Sequence, residues 1–262
     1  MDLNLQGKTA MVCGSTQGLG LACAQELALL GTTIVLVARN QEKLINVAGS
    51  LPTAHGQHHT YLVADFNNND DVQNAVQDFI SQNKIAHILI NNTGGPAGGG
   101  VLLAAPADFE QAFKSHLINN QILIQALVPG MKTEGYGRIV NIISTSVKSP
   151  IAGLGVSNTI RAAVANWGKT LATELGGFGI TVNNVLPGFT KTVRATYVIQ
   201  KKAADHNLPE EKVLENLLHE IPAGRMGEPN EFGAAVAFLC SPAAAYINGI
   251  NLPVDGGRLA CL

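Results

Sequence analysis

What most constrains this chain is an alternation that runs from one end to the other. Strand-length apolar runs take turns with helix-length segments, as in Thr33-Ile-Val-Leu-Val-Ala38 followed by a polar helical stretch over about 41–48. A run that is apolar at every position, rather than every second one, suits a strand covered on both faces. The first run, Thr9 to Cys13, leads into a helix over about 19–30 with Leu21, Ala24, Leu27 and Ala28 on one stripe and a stop at Gly31. Further strands are expected at Tyr61–Ala64, His87–Asn91, Arg138–Ile143, Thr181–Leu186 and Gly249–Val254. Helices are expected over about 69–82 (capped by Asn69 or Asp70), 106–127, 158–175 and 230–239, with a more polar helical insertion at about 190–220. Seven strands alternating with helices predict a single α/β domain over 1–262, with a doubly wound, seven-stranded parallel sheet and helices on both faces.

Ligands of such sheets bind beyond the carboxyl ends of the strands, where the strand order reverses. Gly14, Arg39, Asp65, Asn92, Ser144 and Pro187 all follow strand ends, so one crevice should collect them. The first strand-to-helix turn is Gly14-Ser15-Thr16-Gln17-Gly18-Leu19-Gly20, glycines spaced G-x-x-x-G-x-G. Glycines there permit a tight bend and let a pyrophosphate approach the backbone. The helix start then offers free N–H groups and its positive dipole end to the anion. A glycine-rich turn alone is often just a turn; between a strand and a long helix it predicts a nucleotide site in a Rossmann fold. A second glycine-rich stretch, Gly94 to Gly100, reads as a mobile loop inside the domain, because the alternation continues after it.

Composition removes several classes. Net charge is −2 from 17 basic and 19 acidic residues, which offers no electrostatic grip on nucleic acid or anionic lipid. No uncharged run is long enough to span a bilayer, and the first residues carry no apolar signal core. The four cysteines show no metal-ligand spacing, and Cys13, Cys23 and Cys240 fall in apolar elements, as free thiols in a reducing compartment would. A cytoplasmic protein without a metal site is expected. His55-Gly-Gln-His58-His59 has no Cys or paired carboxylate beside it and reads as a solvated loop. Lys148, four residues past Ser144, reads as an exposed loop lysine rather than a second ammonium for the crevice.

With these motifs in hand, the chain resembles the short-chain dehydrogenase/reductase family, and in particular its branch similar to 3-oxoacyl-acyl-carrier-protein reductases. The resemblance covers nearly the whole chain. It rests on the glycine turn, Asp65, Asn91-Asn-Thr-Gly94, Gly137-Arg-Ile-Val-Asn-Ile-Ile-Ser144, Val182-Asn183, Pro187-Gly188-Phe-Thr-Lys-Thr192, Gly224 to Glu231 and Asp255-Gly-Gly257. It implies a nicotinamide dinucleotide, with Gly14 to Gly20 on the pyrophosphate and nearby ribose. Asp65 and Phe66 would flank the adenine, Asn92, Thr93 and Gly94 would line the adenosine side, and Pro187, Gly188 and Thr192 would seat the nicotinamide. Cys13 replaces a usual threonine, a packing change only. Where an NAD site ends its second strand with an acid for the ribose 2′-hydroxyl, this chain has Ala38 and then Arg39, which suits a 2′-phosphate and predicts NADP(H) over NAD(H).

The catalytic side departs from the family. Similar enzymes use an Asn, a Ser, a Tyr and a Lys. Ser144 matches the Ser, but Ser157 stands at the Tyr position, Arg161 at the Lys position and His116 at the Asn position. A phenol beside a lysine ammonium can exchange protons near neutrality; a serine hydroxyl is a far weaker acid, and arginine stays charged. One reading makes His116, with an ordinary pKa of about 6.5, the replacement acid, so that the reductive rate falls as pH rises through that value. The other gives all three structural work: His116 at a helix kink, Ser157 as a helix cap, Arg161 in an ion pair.

Two functional classes follow. The first is an NADP(H)-dependent oxidoreductase that interconverts a carbonyl, in a small molecule or acyl thioester, and a secondary alcohol. The second is a dinucleotide-binding sensor or oligomeric partner with impaired catalysis. Similar proteins pair their long helices across a subunit interface. Here Phe109, Phe113, Leu117, Val164, Trp167 and Leu171 are too many for one buried stripe, which predicts a homotetramer or at least a homodimer.

Overall fold

The computed structural model describes residues 1–261. Strands β1 (Thr9–Cys13), β2 (Thr33–Ala38), β3 (Thr60–Val63), β4 (Ile88–Asn91), β5 (Gly137–Ile142), β6 (Ile180–Pro187) and β7 (Asn251–Val254) form one sheet. Its order is β3-β2-β1-β4-β5-β6-β7, every neighbouring pair parallel, and the order reverses between β1 and β4. This is the doubly wound Rossmann architecture that the alternation predicts.

The continuous apolar runs split between two cores because successive side chains point to opposite faces. Ala10, Val12, Ile34, Leu36, Ile88 and Ile90 meet helices α1 (Gly18–Leu29), α2 (Gln41–Ser50) and α9 (Pro229–Cys240). Met11, Cys13, Val35, Val37 and Leu89 face α3 (Asn69–Ser81) and the helices that follow β4 and β5. Burying each large aliphatic side chain contributes about 1.5–3 kcal/mol before the entropy of ordering it. Helix α9 lies directly on α1 because position 233 is glycine: a Cβ there would come within 2.7 Å of the Ala22 carbonyl oxygen.

Four asparagines stand in register across half of the sheet, Asn91 on β4, Asn141 on β5, Asn184 on β6 and Asn251 on β7. Each amide donates to the next, at 2.9, 2.9 and 2.8 Å. The first three are buried, and helix α6 (Gly155–Leu175) meets the row at Ala165, whose carbonyl accepts from Asn184 Nδ2 at 3.3 Å, and at Gly168, whose Cβ would lie 2.9 Å from the amides of both Asn141 and Asn184. An apolar sheet thus holds a polar line in which each amide N–H group finds an oxygen on the next strand, while Asn91 Oδ1 at its head has no partner among the described residues.

Several boundaries differ from expectation. The helix expected over 106–127 is two: α4 (Pro106–Phe113) and α5 (Asn119–Glu134), joined by a π-helical turn at Lys114–Ile118. Asn119 donates its backbone N–H to Lys114, and the side chains of Asn69 and Asn119 bond the Lys114 and Ser115 carbonyls at 3.2 and 3.3 Å, which stabilises the irregular turn. Asn68, not Asn69 or Asp70, caps α3, its side chain accepting the Asp70 N–H at 3.1 Å. Helix α6 begins at Gly155, so Ser157 lies in its first turn and is not a cap. The earlier start follows from the glycine-rich loop, whose Gly99 donates its N–H to the Gly153 carbonyl at 2.7 Å and accepts the Gly155 N–H at 3.0 Å, and a Cβ on Gly155 would meet Val101. The insertion forms α7 (Val193–His206) and α8 (Glu210–His219).

Candidate functional site

The turn after β1 is held from two sides. Gly14 N–H donates to Val37 at 2.9 Å, and the Asn92 side chain, arriving from the end of β4, donates to the Cys13 and Gly14 carbonyls at 3.2 Å each. Gly14 and Gly18 have φ of +58° and +57°, where L side chains are strained. A Cβ on Gly20 would run into the Gly14 carbonyl and approach Asn92 Nδ2 to 2.8 Å, so the third glycine sets how closely α1 enters the turn. The N-terminus of α1 has no side-chain cap and no acid in its first turn, which leaves its N–H groups for an anion. Gln17 occupies the N-cap position, Thr16 and Leu19 are half-buried beside it, and Thr192 faces Gly18, its Cγ2 lying 3.6 Å from where a Cβ would be. A dinucleotide fits this cradle.

The side chain of Ser15 has a structural role that the sequence reading did not name. It is wholly buried and its Oγ accepts the Val37 N–H at 3.1 Å, so it ties β1 to β2 and only the Ser15 backbone faces the cradle. Arg39 is exposed just past β2, and Asp65 folds the turn after β3 by accepting the Asn67 N–H at 3.0 Å. Phe66, half-buried, presents its carbonyl to Asn119 Nδ2 at 2.7 Å. Thr93 and Gly94 continue past Asn92 at the end of β4. Pro187 ends β6, and Gly188 bonds Val254 at 2.9 Å, while Thr192 caps α7 by accepting the Ala195 N–H at 3.3 Å.

On the catalytic side, Ser144 stands two residues past β5 in extended conformation. Its Oγ accepts the Ser146 N–H at 3.1 Å, which leaves the hydroxyl proton free to donate. Arg161 is buried, and its Nη1 donates to the Ile142 carbonyl at 2.9 Å. Its Nε has no partner, and its Nη2 faces the loop after β4, 3.8 Å from where a Cβ on Gly95 would be. Burial first, and the neighbouring Arg194 charge second, pull its pKa down to about 10, so it remains a cation at neutral pH. No ion pair holds it: among the described residues no carboxylate reaches it.

His116 lies in the π-helical turn and is buried. Burial, and next the charge of Arg161, push its pKa down to about 2. It is neutral throughout the working range, which overturns the expectation of an acid titrating near 6.5. Sequence reasoning missed Asn119, wholly buried, which links Phe66 to the π turn that carries His116. The one available signal was the polar pair Asn119-Asn120 inside an otherwise apolar helical stretch.

Two other expectations change. Val164 and Leu171 belong to the chain's own cores, so they no longer argue for a subunit interface; Phe113 remains 40% exposed. The histidine loop is partly structural, since His59 Nδ1 accepts the Ile34 N–H at 3.0 Å. Among the described residues no group of three or more His, Cys, Asp or Glu is placed to hold a metal, and no helix is long and apolar enough to cross a membrane.

Comparison with known proteins agrees with this geometry. The family described as "Enoyl-(Acyl carrier protein) reductase" matches residues 14–258. A 3-oxoacyl-[acyl-carrier-protein] reductase FabG of Rickettsia bellii is 32% identical over 257 residues, 98% of this chain and 99% of its own. Among solved structures, the L-sorbose reductase of Gluconobacter frateurii, complexed with NADPH and L-sorbose, superposes with a TM-score of 0.93 at 32% identity, each chain covered to 100%. YwfH, an NADPH-dependent reductase involved in bacilysin biosynthesis, gives 0.92 at 28% identity, covering 97% of this chain and 99% of its own. With the parallel sheet, the glycine cradle and the full-length matches together, the chain belongs to the short-chain dehydrogenase/reductase family of oxidoreductases.

Proposed function

We propose that the protein is an NADP(H)-dependent reductase that interconverts a carbonyl and a secondary alcohol, similar to the 3-oxoacyl reductases, with Ser157 and Arg161 replacing the usual Tyr and Lys. One observation carries the reading: the glycine cradle follows β1 and Ser144 follows β5, on either side of β4, at the switch point of the sheet. The NADPH named for the sorbose reductase and YwfH supports the phosphorylated cofactor, as does Arg39 in place of an acid.

In this reading the backbone of residues 14–20 holds the pyrophosphate, Asp65, Phe66, Asn92, Thr93 and Gly94 line the adenosine, and Pro187, Gly188 and Thr192 seat the nicotinamide, which supplies the hydride when bound. Ser144 donates its free proton as a hydrogen bond to the substrate carbonyl. The Arg161 cation offsets charge developing on that oxygen and anchors the cofactor ribose. Ser157, half-buried one turn earlier on α6, orders the water that delivers the final proton, because neither arginine nor a neutral imidazole gives one up near pH 7. The free, buried thiols of Cys13, Cys23 and Cys240 support a reducing, cytoplasmic setting, and the exposure of Phe113, Val101, Leu102 and Leu103 supports assembly into a homotetramer.

The test is NADPH oxidation against a panel of small ketones, small oxo acids and 3-oxoacyl thioesters. Ser144→Ala is expected to lower kcat by about 10²–10³ while NADPH affinity stays near wild type. The neutral, buried state of His116 favours a second reading, a binding protein. It wins if wild type binds NADPH, reduces nothing, and only the Ser157→Tyr/Arg161→Lys double variant is active.

A further inference from the structure

Two arginines from distant parts of the chain converge on one short segment. Arg161, on α6, turns its Nη2 towards Gly95. Arg194, in the first turn of α7, donates through Nη2 to the Pro96 carbonyl at 3.4 Å, and its guanidinium carbon sits 5.3 Å from the centre of the Tyr197 ring. Among the described residues neither has a carboxylate partner. The only side-chain hydrogen bond of each goes to a backbone carbonyl, and the buried Nε of Arg161 has none. The residue nearest in kind, His116, is neutral and adds no negative charge. A buried cation without a counter-charge is costly, and a second cation beside it raises that cost. The mutual repulsion is strong enough to help lower the Arg161 pKa. Such a pair is completed by an anion from outside.

We infer that the anion is a carboxylate of the substrate, so that the protein acts on small oxo acids rather than on neutral ketones or acyl thioesters. This rests on the carbonyl-reductase reading above and names its substrate class. Three features favour a carboxylate at this place. The planar guanidinium fork matches a planar carboxylate. The Arg161 guanidinium is bonded to Ile142, two residues before Ser144, so an anion on it stays close to the carbonyl that Ser144 holds. The cofactor's own phosphates have other hosts, the N-terminus of α1 for the pyrophosphate and Arg39 for the 2′-phosphate. Their separation along the sheet is that of β1 and β2 from β5. The competing occupant is the pyrophosphate, since Arg194 follows Thr192 by only two residues.

The experiment uses three acids in which the carbonyl lies progressively further from the carboxylate, 2-oxobutanoate, 3-oxobutanoate and 4-oxopentanoate, each against its methyl ester. NADPH oxidation is followed for all six, and calorimetry measures binding of the three acids and three esters to the protein loaded with NADP⁺. At least one acid is expected to exceed its ester in kcat/KM, and in affinity, by about tenfold or more, a difference normal for a charge-assisted pair. Arg194→Ala should shrink that acid-over-ester ratio at least several-fold, and Arg194→Lys should restore part of it, with NADPH affinity unchanged in both. Arg194 is exposed, so its replacement does not disturb the core. Equal handling of acids and esters by wild type overturns the inference. So does loss of NADPH affinity in Arg194→Ala, which would assign the pair to the pyrophosphate. If nothing is turned over but an acid binds in preference to its ester, the reductase reading fails and the carboxylate site stands; if no acid binds better than its ester, the site falls too.

Discussion

The two halves of the crevice solve different problems. On the side of β1, β2 and β4 the cradle is made of backbone: three glycines, the free N–H groups of α1, and carbonyls fastened by Asn92. On the other side the proposed chemistry rests on side chains: Ser144 after β5, Ser157 and Arg161 on α6, and His116 in the π turn between α4 and α5. A backbone site tolerates little change: a Cβ on Gly14 or Gly20 has no room against Asn92 or the Gly14 carbonyl, and Gly18 has a φ of +57° that strains an L side chain. A side-chain site can be rewritten completely while the frame stays, and here three of the four residues differ from the family pattern. In the proposed reading binding rests mostly on backbone and turnover mostly on side chains, with Arg161 shared between the two.

The sharpest way to break the contrast is Gly20→Ala. Its Cβ has no room against Gly14 and Asn92, so NADPH affinity should fall by about a hundredfold, near the upper end of overpacking costs of about 1–3 kcal/mol. Fluorescence titration measures this directly; affinity within threefold of wild type would show that the turn gives way and that the backbone argument is wrong. A smaller effect is expected from Arg39→Ala, which removes the cation proposed to pair with the 2′-phosphate. It should reduce the preference for NADPH over NADH by about 1–3 kcal/mol, the worth of a charge-assisted bond. Equal wild-type affinities for the two cofactors would remove Arg39 from the site.

The smallest effect is read in stability. Above pH 6.5 His116 is neutral folded or unfolded and costs nothing. Between 6.5 and about 2 the unfolded chain takes up a proton that the folded one refuses, so stability falls as pH drops. The slope from this one group is at most about 1.4 kcal/mol per pH unit. His116→Gln should flatten acid unfolding by that amount in chemical denaturation between pH 6 and 4 (a window set by the ordinary histidine pKa of about 6.5). An unchanged slope would place the burden on His87, whose pKa burial also lowers.

The same division explains what could be read from sequence. Strand runs such as Thr33–Ala38 and the glycine spacing were legible because each encodes a backbone requirement in residue types. The π turn was not, since its cause is tertiary: Asn69 and Asn119 satisfy carbonyls that a regular helix would have satisfied itself. Nor was the early start of α6, which depends on Gly99 reaching across from another loop. The tie from the Ser15 side chain to the neighbouring strand was not legible either, because a serine in a phosphate turn and a serine pinning a strand look alike until Val37 is found beside it. The Ser144–Arg161 side was legible as residues, but their states were not, because the desolvation that neutralises His116 is a property of the folded surroundings.

The asparagine row has a consequence for how the sheet finds its alignment. Because the four amides link only when β4, β5, β6 and β7 all lie in one register, a slip of one residue by any strand turns its asparagine to the opposite face and strands the neighbours' amides in hydrocarbon. Each stranded group costs about 1–3 kcal/mol, and two are lost at every slip of β5 or β6. Apolar strands alone would tolerate a shifted pairing at little expense, since valine and isoleucine are nearly interchangeable along them. The row acts as an error check: it makes the wrong alignments expensive together, and so keeps the ends of β4 and β5, and with them Asn92 and Ser144, level with each other.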